Sequence, residues 1–196
     1  MTPRTQEERT RATTGQLLDA SKRLFAAEGY AATSLETVAE EAGVTKGALY
    51  HHFKGKRELF AAVYDHEQRR LAALIDDAYR RKRDPWAGFY SGCRAFFEAS
   101  LDRDVQRITL LDAPGAIGWE AMREIENQYS LKLLKNGLSE AIEAGRIAKR
   151  PVDPLAHLLL GAMCEGAMMA ARADDPALAT RRCLAELKSL LDALAL

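Results

Sequence analysis

Apolar positions recur at helical spacing along most of the chain. Leu17, Leu18, Ser21, Leu24 and Phe25 share one helix face, and Gly29 stands just past its end, where a glycine suits a left-handed C-cap. Thr33 and Ser34 then offer hydroxyl caps to a second helix, about Leu35 to Ala42, with Leu35, Val38, Ala39 and Ala42 inward. Gly43 and Val44 turn the chain. Thr45 caps a third short helix, Lys46 to about His52, with Ala48 and Leu49 inward and Phe53 closing it into a core. A fourth, from about Lys56 to Lys82, carries Leu59, Phe60, Val63, Leu71, Leu74, Ile75 and Ala78; at about 1.5 Å per residue it reaches roughly 40 Å, enough to join two domains.

Asp84-Pro85 restarts the chain with a cap and a first-turn proline. The following helix has Trp86, Phe89, Tyr90, Cys93, Phe96, Phe97 and Leu101 along one broad side. Asp104 to Asp112 predicts another helix, broken by Ala113-Pro114-Gly115-Ala116-Ile117-Gly118, a loop able to rearrange near a pocket entrance. Trp119 to Gly145 predicts a single long helix. Two more, about Pro154 to Ala173 and Pro176 to Leu194, end the chain. Their stripes are Leu155, Leu159, Ala162, Gly166 and Ala170 on one, and Ala177, Leu184, Leu187, Leu191 and Leu194 on the other. The fold class is all-α: a three-helix N-terminal domain over residues 1–57, then a helical domain over 58–196.

The outward face of the third helix changes this picture from architecture to function. Lys46, Gly47, Tyr50 and His51 are left unburied on a short helix that follows a glycine hinge. A surface aromatic patch is one reading. The other is a helix-turn-helix, in which the second helix enters the DNA major groove: Lys46 and Tyr50 reach phosphates and base edges, Gly47 lets backbone approach closely, and His51 bonds a phosphate. Lys54, Lys56 and Arg57 follow at a helix start, where cations and free N–H groups favour a phosphate. The basic run Arg80 to Arg83, by contrast, reads as a favourable helix C-terminus.

Composition narrows the alternatives. At 47% hydrophobic and 29% charged residues the 196-residue chain is an ordinary folded protein, and 28 basic against 28 acidic side chains give no global case for nucleic acid. Residues 1–57 hold nine basic and seven acidic side chains, net +2; the remainder hold nineteen and twenty-one, net −2. Cys93, Cys164 and Cys183 form no CxxC pair, which suits a reducing cytoplasm. No apolar run approaches the roughly 18 residues of a membrane span, since Glu165 and Arg172 interrupt Leu155 to Ala173. Met1 to Glu8 reads as a mobile tail, with Arg4, Arg9 and Arg11 as alternative phosphate contacts. His66 and His157 are isolated and neither HExxH nor a glycine-rich phosphate loop occurs, so the chain is expected to be no enzyme and to hold neither metal nor cofactor.

The run Gly29-Tyr30, Thr33-Ser34, Val38-Ala39, Ala42 through Gly47, Leu49-Tyr50, His52-Phe53, Lys56 and Leu59 resembles the DNA-binding domain of the TetR family of bacterial transcriptional regulators. Ala144-Gly145-Arg146-Ile147 and Pro151-Val152-Asp153-Pro154 are similar to the family's connection before its last two helices. The resemblance implies recognition contacts at Thr45, Lys46, Gly47, Tyr50 and His51, phosphate anchors at Thr33 and Lys56, and a pseudopalindromic double-stranded operator. It also implies a homodimer through the last two helices and a repressor released by a small molecule. Phe89, Cys93, Phe96, Trp119, Met122, Tyr129, Met163 and Cys164 lie on helices that would surround a cavity; they are either its lining, for a hydrophobic or aromatic effector, or plain core. Glu165 and Arg172 serve polar recognition or a dimer ion pair. The alternative is a DNA-binding regulator without an effector, whose second domain dimerises or meets a protein partner.

Overall fold

The computed structural model describes residues 5–196, the Arg9 side chain excepted; the expected contact Arg4 and the rest of Met1–Arg4 lie outside the described residues. The first helix, α1, spans Gln6–Glu28. It starts inside the stretch expected to be a tail. Thr5 and Glu8 form a reciprocal cap: the Thr5 hydroxyl accepts from Glu8 N–H at 3.2 Å and the Glu8 carboxylate accepts from Thr5 N–H at 2.8 Å. Helices α2 (Leu35–Glu41) and α3 (Lys46–His52) follow, capped by the hydroxyls of Ser34 and Thr45, which accept from Thr37 N–H and Ala48 N–H at 3.0 and 3.1 Å. Between them Gly43 takes φ +66°, which a Cβ would resist.

Helix α4 (Lys56–Arg80) is the long connector. Asp84 caps α5 (Pro85–Ala99), with Pro85 in its first turn. A single turn, α6 (Arg103–Val105), widens into a π-helical segment, Gln106–Asp112, and runs into α7 (Ala113–Ile117). The expected loop at 113–118 is therefore helical. Pro114 falls in the first turn of α7, where its missing N–H costs little, and the break comes at Gly118, φ +81°. The expected single helix from Trp119 is also two, α8 (Trp119–Gln128) and α9 (Ser130–Glu143), hinged at Tyr129 with φ −124° and ψ −97°. No glycine or proline marks that hinge. Contacts to α4 occupy it: the Tyr129 hydroxyl donates to Asp65 at 3.0 Å and the Ser130 hydroxyl donates to Gln68 at 3.3 Å.

Helices α10 (Val152–Ala171) and α11 (Pro176–Asp192) complete the chain. Contrary to expectation, α10 is long and apolar enough, by length and composition, to cross a membrane. Here it packs against α9, α11 and α5. The apolar stripe expected on it does not stay on one face: Leu159 and Ala170 are buried, while Leu158, Ala162, Glu165 and Met169 are exposed at helical spacing. On α11, Leu187 and Leu191 are inside and Leu178 and Leu190 outside.

Two cores result. One joins Phe89, Phe96, Phe97, Leu131, Leu138 and Leu160 within the second domain. The other packs Leu17, Phe25, Val38, Leu49, Phe60 and Tyr64 together with Ile108, Ala113, Ile117 and Met122 from beyond residue 100. Burying each such side chain contributes about 1.5–3 kcal/mol, so the π segment, α7 and α8 are a substantial part of what holds the first three helices to the rest.

Candidate nucleic-acid interface and internal cavity

Leu49, fully buried, roots α3 in its core, and the His52 ring faces α1, its Nδ1 3.3 Å from the Thr14 hydroxyl. The opposite face is open. Thr45, Lys46, Gly47, Tyr50 and His51 are all exposed, as expected, with Tyr50 at 46%. A Cβ added to Gly47 would meet only the Thr45 hydroxyl oxygen, at 3.9 Å, so internal packing does not require a glycine there. Lys46 Nζ is paired with the Glu36 carboxylate of α2 and lies 5.9 Å from the Tyr50 ring centroid. Each partner strengthens the other's charge: the Lys46 pKa is raised by the hydrogen bond to Glu36, and the Glu36 pKa is lowered by the one from Lys46. Glu36 is a member of this surface that the amphipathic pattern does not single out, because it reads as an ordinary first-turn acid.

The two expected phosphate anchors are both engaged within the chain. Thr33 is buried and its hydroxyl donates to Gly29 O at 2.9 Å. Lys56 Nζ donates to the carbonyls of Tyr30 (2.8 Å), Thr33 (3.0 Å) and Ala31 (3.2 Å), 4.6 Å from the Tyr30 ring centroid. An ammonium has three protons, and all three are engaged. These residues shape the α1–α2 loop rather than present charge. The exposed Lys54 remains at the start of α4.

A cavity of about 260 Å³ opens between α4, α5, α9 and α10. Phe89, Phe96, Leu134, Leu160 and Met163 supply apolar walls; Asp76, Tyr79, Arg80, Asn136 and Glu140 supply polar ones. Trp86 stacks on Phe89 at 5.2 Å, and Gly137 leaves that ring its place, since a Cβ there would sit 2.7 Å from it. The Cys93 thiol in the wall is pushed up to about 12 by burial, so it behaves as a small apolar group.

Residues 86–194 match the family model described as the tetracyclin repressor-like C-terminal domain, and residues 17–63 match that of the bacterial regulatory proteins of the tetR family. The chain belongs to the TetR family. It is 29% identical over 160 residues to the transposon Tn10 TetC protein of Escherichia coli, covering 80% of this chain and 79% of that one. A crystal structure of a TetR-family transcriptional regulator from Pectobacterium atrosepticum superposes with a TM-score of 0.84 at 30% identity, covering 98% of both chains. The transcriptional regulator FadR of Bacillus subtilis, in complex with stearoyl-CoA, shares the fold at a TM-score of 0.75 and 20% identity over 90% of this chain and 96% of that one. This chain is thus a DNA-binding transcriptional regulator, and α1–α3 are its TetR-family reading head.

Of the side chains expected around an effector, this TetR-family cavity gathers Phe89, Cys93, Phe96 and Met163. The other four lie elsewhere. Trp119 is 61% exposed, with Arg123 4.3 Å from its ring centroid. Met122 is buried in the core of the reading head. Tyr129 bonds Asp65 and Arg69 on α4. Cys164 packs against the second core, its thiol pushed up to about 12 by burial. The α4 contribution, Ile75, Asp76, Tyr79 and Arg80, goes unread in a stretch whose charges resemble solvated surface. Arg80 and Arg81 indeed pair with Asp76 and Asp77 at 2.6 and 2.5 Å.

Two polar connections lead from this domain to the reading head. From the cavity floor, Ser130 donates to Gln68 (3.3 Å), Gln68 Nε2 donates to the Tyr64 hydroxyl (3.1 Å), and Tyr64 donates to Glu126 (3.3 Å). All four are buried, and Tyr64 belongs to the reading head's core. Burial raises the pKa of Glu126, while Arg123 at 2.8 Å opposes the shift. At the other connection, Asp112 accepts from Tyr30 N–H at 2.7 Å and from Arg107 Nε at 3.2 Å, and Arg107 Nη2 donates to Glu28 O at 3.3 Å.

Proposed function

We propose that the chain acts in the cytoplasm as a homodimeric repressor, released from a pseudopalindromic double-stranded operator when a small apolar or aromatic molecule fills the cavity. The observation that carries this reading is the cavity's position: it lies against the C-terminal third of α4, whose N-terminal third is packed into the reading head. An occupant that displaces α4 moves the head. Thr45, Lys46, Gly47, Tyr50 and His51 make the contacts to the groove, from a face that among the described residues is exposed apart from the Lys46–Glu36 pair. Pairing through α10 and α11 is supported by the outward Leu158, at 72% exposure, and Leu190, at 60%. Such a face costs free energy in water unless a partner covers it, and a two-fold pairing would set two heads one helical turn apart on DNA.

A hundredfold loss of DNA affinity requires about 2.7 kcal/mol of preference by the effector for the released conformation. The reading without an effector calls for a side-chain-filled core, and the cavity speaks against it. The test is to select DNA fragments retained by the purified protein and then challenge the complexes with small aromatic compounds. Retention of a common inverted repeat, and its release by a compound that binds the protein, is the expected result. DNA binding that is indifferent to every compound shown to occupy the cavity would sink the effector part of the proposal.

A further inference from the structure

The cavity's polar side is lopsided in charge. Asp76 and Glu140 contribute two carboxylates against the single guanidinium of Arg80. Arg80 is already engaged, donating to Asp76 at 2.6 Å one turn back on α4. Its pKa is raised by that hydrogen bond first and by Glu140 at longer range, so both acids draw on the same cation. Glu140 itself receives the Tyr79 hydroxyl. A carboxylate oxygen has room for more than one donor, so Glu140 can take a second from a ligand. Asn136 adds a neutral amide, the other walls are apolar, and the Ser130 hydroxyl is committed to Gln68.

An anionic guest entering this space would meet two carboxylates, a guanidinium that is already paired and only the neutral amide of Asn136, with Arg80, Asn136 and Glu140 at the exposed side of the cavity. Solvent moderates the repulsion at this exposed side, but a charge that leaves water without gaining a cationic partner still binds at a disadvantage. A guest bearing an ammonium, amide or phenolic donor meets the reverse situation, with an acceptor waiting on Glu140. The volume of about 260 Å³ lies just under the roughly 300–1,000 Å³ of typical ligand pockets, which restricts the guest to one or two rings.

We infer that the effector is a small aromatic molecule, uncharged or cationic, that donates a hydrogen bond to Glu140, and that carboxylates and phosphate-bearing compounds of the same shape are rejected. The inference rests on the reading of this cavity as the effector site. Glu140 is then the residue that sets effector class, and Phe89, Phe96 and Met163 set its shape.

Isothermal titration of the full-length protein with 2-naphthylmethylammonium, 2-naphthylmethanol and 2-naphthoate separates the possibilities, since the three share one ring system and differ in charge. The ammonium and the alcohol are expected to bind, with naphthoate at least about tenfold weaker, a gap of about 1.4 kcal/mol. In Glu140→Gln the ammonium's advantage over naphthoate should shrink to about threefold or less, or about 0.7 kcal/mol, while Cys93→Phe, which fills the cavity, should lose all three. Naphthoate binding as tightly as the ammonium, or a preference that survives Glu140→Gln unchanged, overturns the assignment of class and leaves the effector reading standing. If none of the three binds, while Cys93→Phe and the parent protein melt alike, the effector reading falls and takes this inference with it.

Discussion

Lys46, at the first turn of the recognition helix, is held by Glu36 of the neighbouring helix. A phosphate that recruits Lys46 competes with Glu36 for the ammonium, and Glu36 would then stand near the DNA backbone as a like charge. Glu36→Gln should therefore tighten DNA binding by about two- to fivefold at low salt, the scale of an exposed ion pair. The gain should fade as salt rises. Fluorescence anisotropy across a salt series reads both. A loss of affinity in Glu36→Gln would mean that the pair positions Lys46 for DNA instead of competing with it.

Tyr50 and Leu49 are neighbours in sequence with opposite exposure. Tyr50→Ala is expected to weaken operator binding by about tenfold or more, on the scale of a lost base contact, and to leave the melting temperature unchanged because the ring is half exposed. Leu49→Ala should cost about 2–5 kcal/mol of stability, as deletions from packed cores do. Chemical denaturation of both variants beside DNA titrations distinguishes a reading residue from a core one.

The buried path from Ser130 through Gln68 to Tyr64 makes a separable prediction about signalling. Gln68→Met keeps the volume and removes the amide, so effector binding by calorimetry should persist while effector-driven release of DNA falls by about fivefold or more, the scale of a modest coupling energy. Undiminished release in that variant would show that the signal travels by another route, of which Asp112 and Arg107 are the evident candidates.

Glu126 predicts a pH dependence. Its folded pKa is raised above the ordinary 4.5 by burial, so its protonated form is the one the fold accommodates. That contribution is full below about pH 4.5 and is lost as pH rises through the elevated value. Glu126→Gln mimics the protonated acid. The variant should gain melting temperature relative to the parent at pH 7 and lose that advantage as pH falls toward 4. A difference independent of pH would assign the effect to the Arg123 pair.

Gly29 joins α1 to the loop beneath Arg107 with φ +86°. Gly29→Ala forces a side chain into a conformation nearly reserved for glycine, at about 1–3 kcal/mol, and places its Cβ 1.9 Å from Arg107 Nη2. The guanidinium can swing aside, but the backbone cannot, so Gly29→Ala should lower the melting temperature even when combined with Arg107→Ala.

The second and third helices of the reading head were legible because their signals are local, hydroxyl caps at Ser34 and Thr45 and an inward face around Leu49, whereas the Thr5–Glu8 cap that starts α1 lay in the stretch expected to be a tail. Thr33 and Lys56 show what a motif leaves open. Their positions follow the family pattern, but the direction of a side chain is settled by neighbours such as Gly29 O and Tyr30 O, which no spacing encodes. The hinge at Tyr129 was hidden for a related reason: apolar periodicity runs through it undisturbed, and the hydrogen bonds that bend it come from a helix about 60 residues earlier. The cavity divided along the same line. Aromatic density exposed Phe89 and Phe96, whereas Tyr79 and Glu140 look like surface residues until α4 and α9 are brought face to face.

Met122 and Ile117 complete the core of a reading head whose first helix lies about a hundred residues away. The head is therefore not a detachable module. A chimera that grafts residues 1–57 onto a foreign regulatory domain leaves Leu17, Phe25, Val38 and Leu49 against whatever the new host supplies in place of Phe60, Tyr64, Ile117 and Met122, so the head is expected to transplant intact only together with its α4 partners and the segment from Val105 to Glu126. Recombination between relatives is constrained in the same way: a crossover inside α4 is tolerated only where the later segment matches, which couples inheritance of the helix-turn-helix surface to a stretch of sequence beyond residue 100.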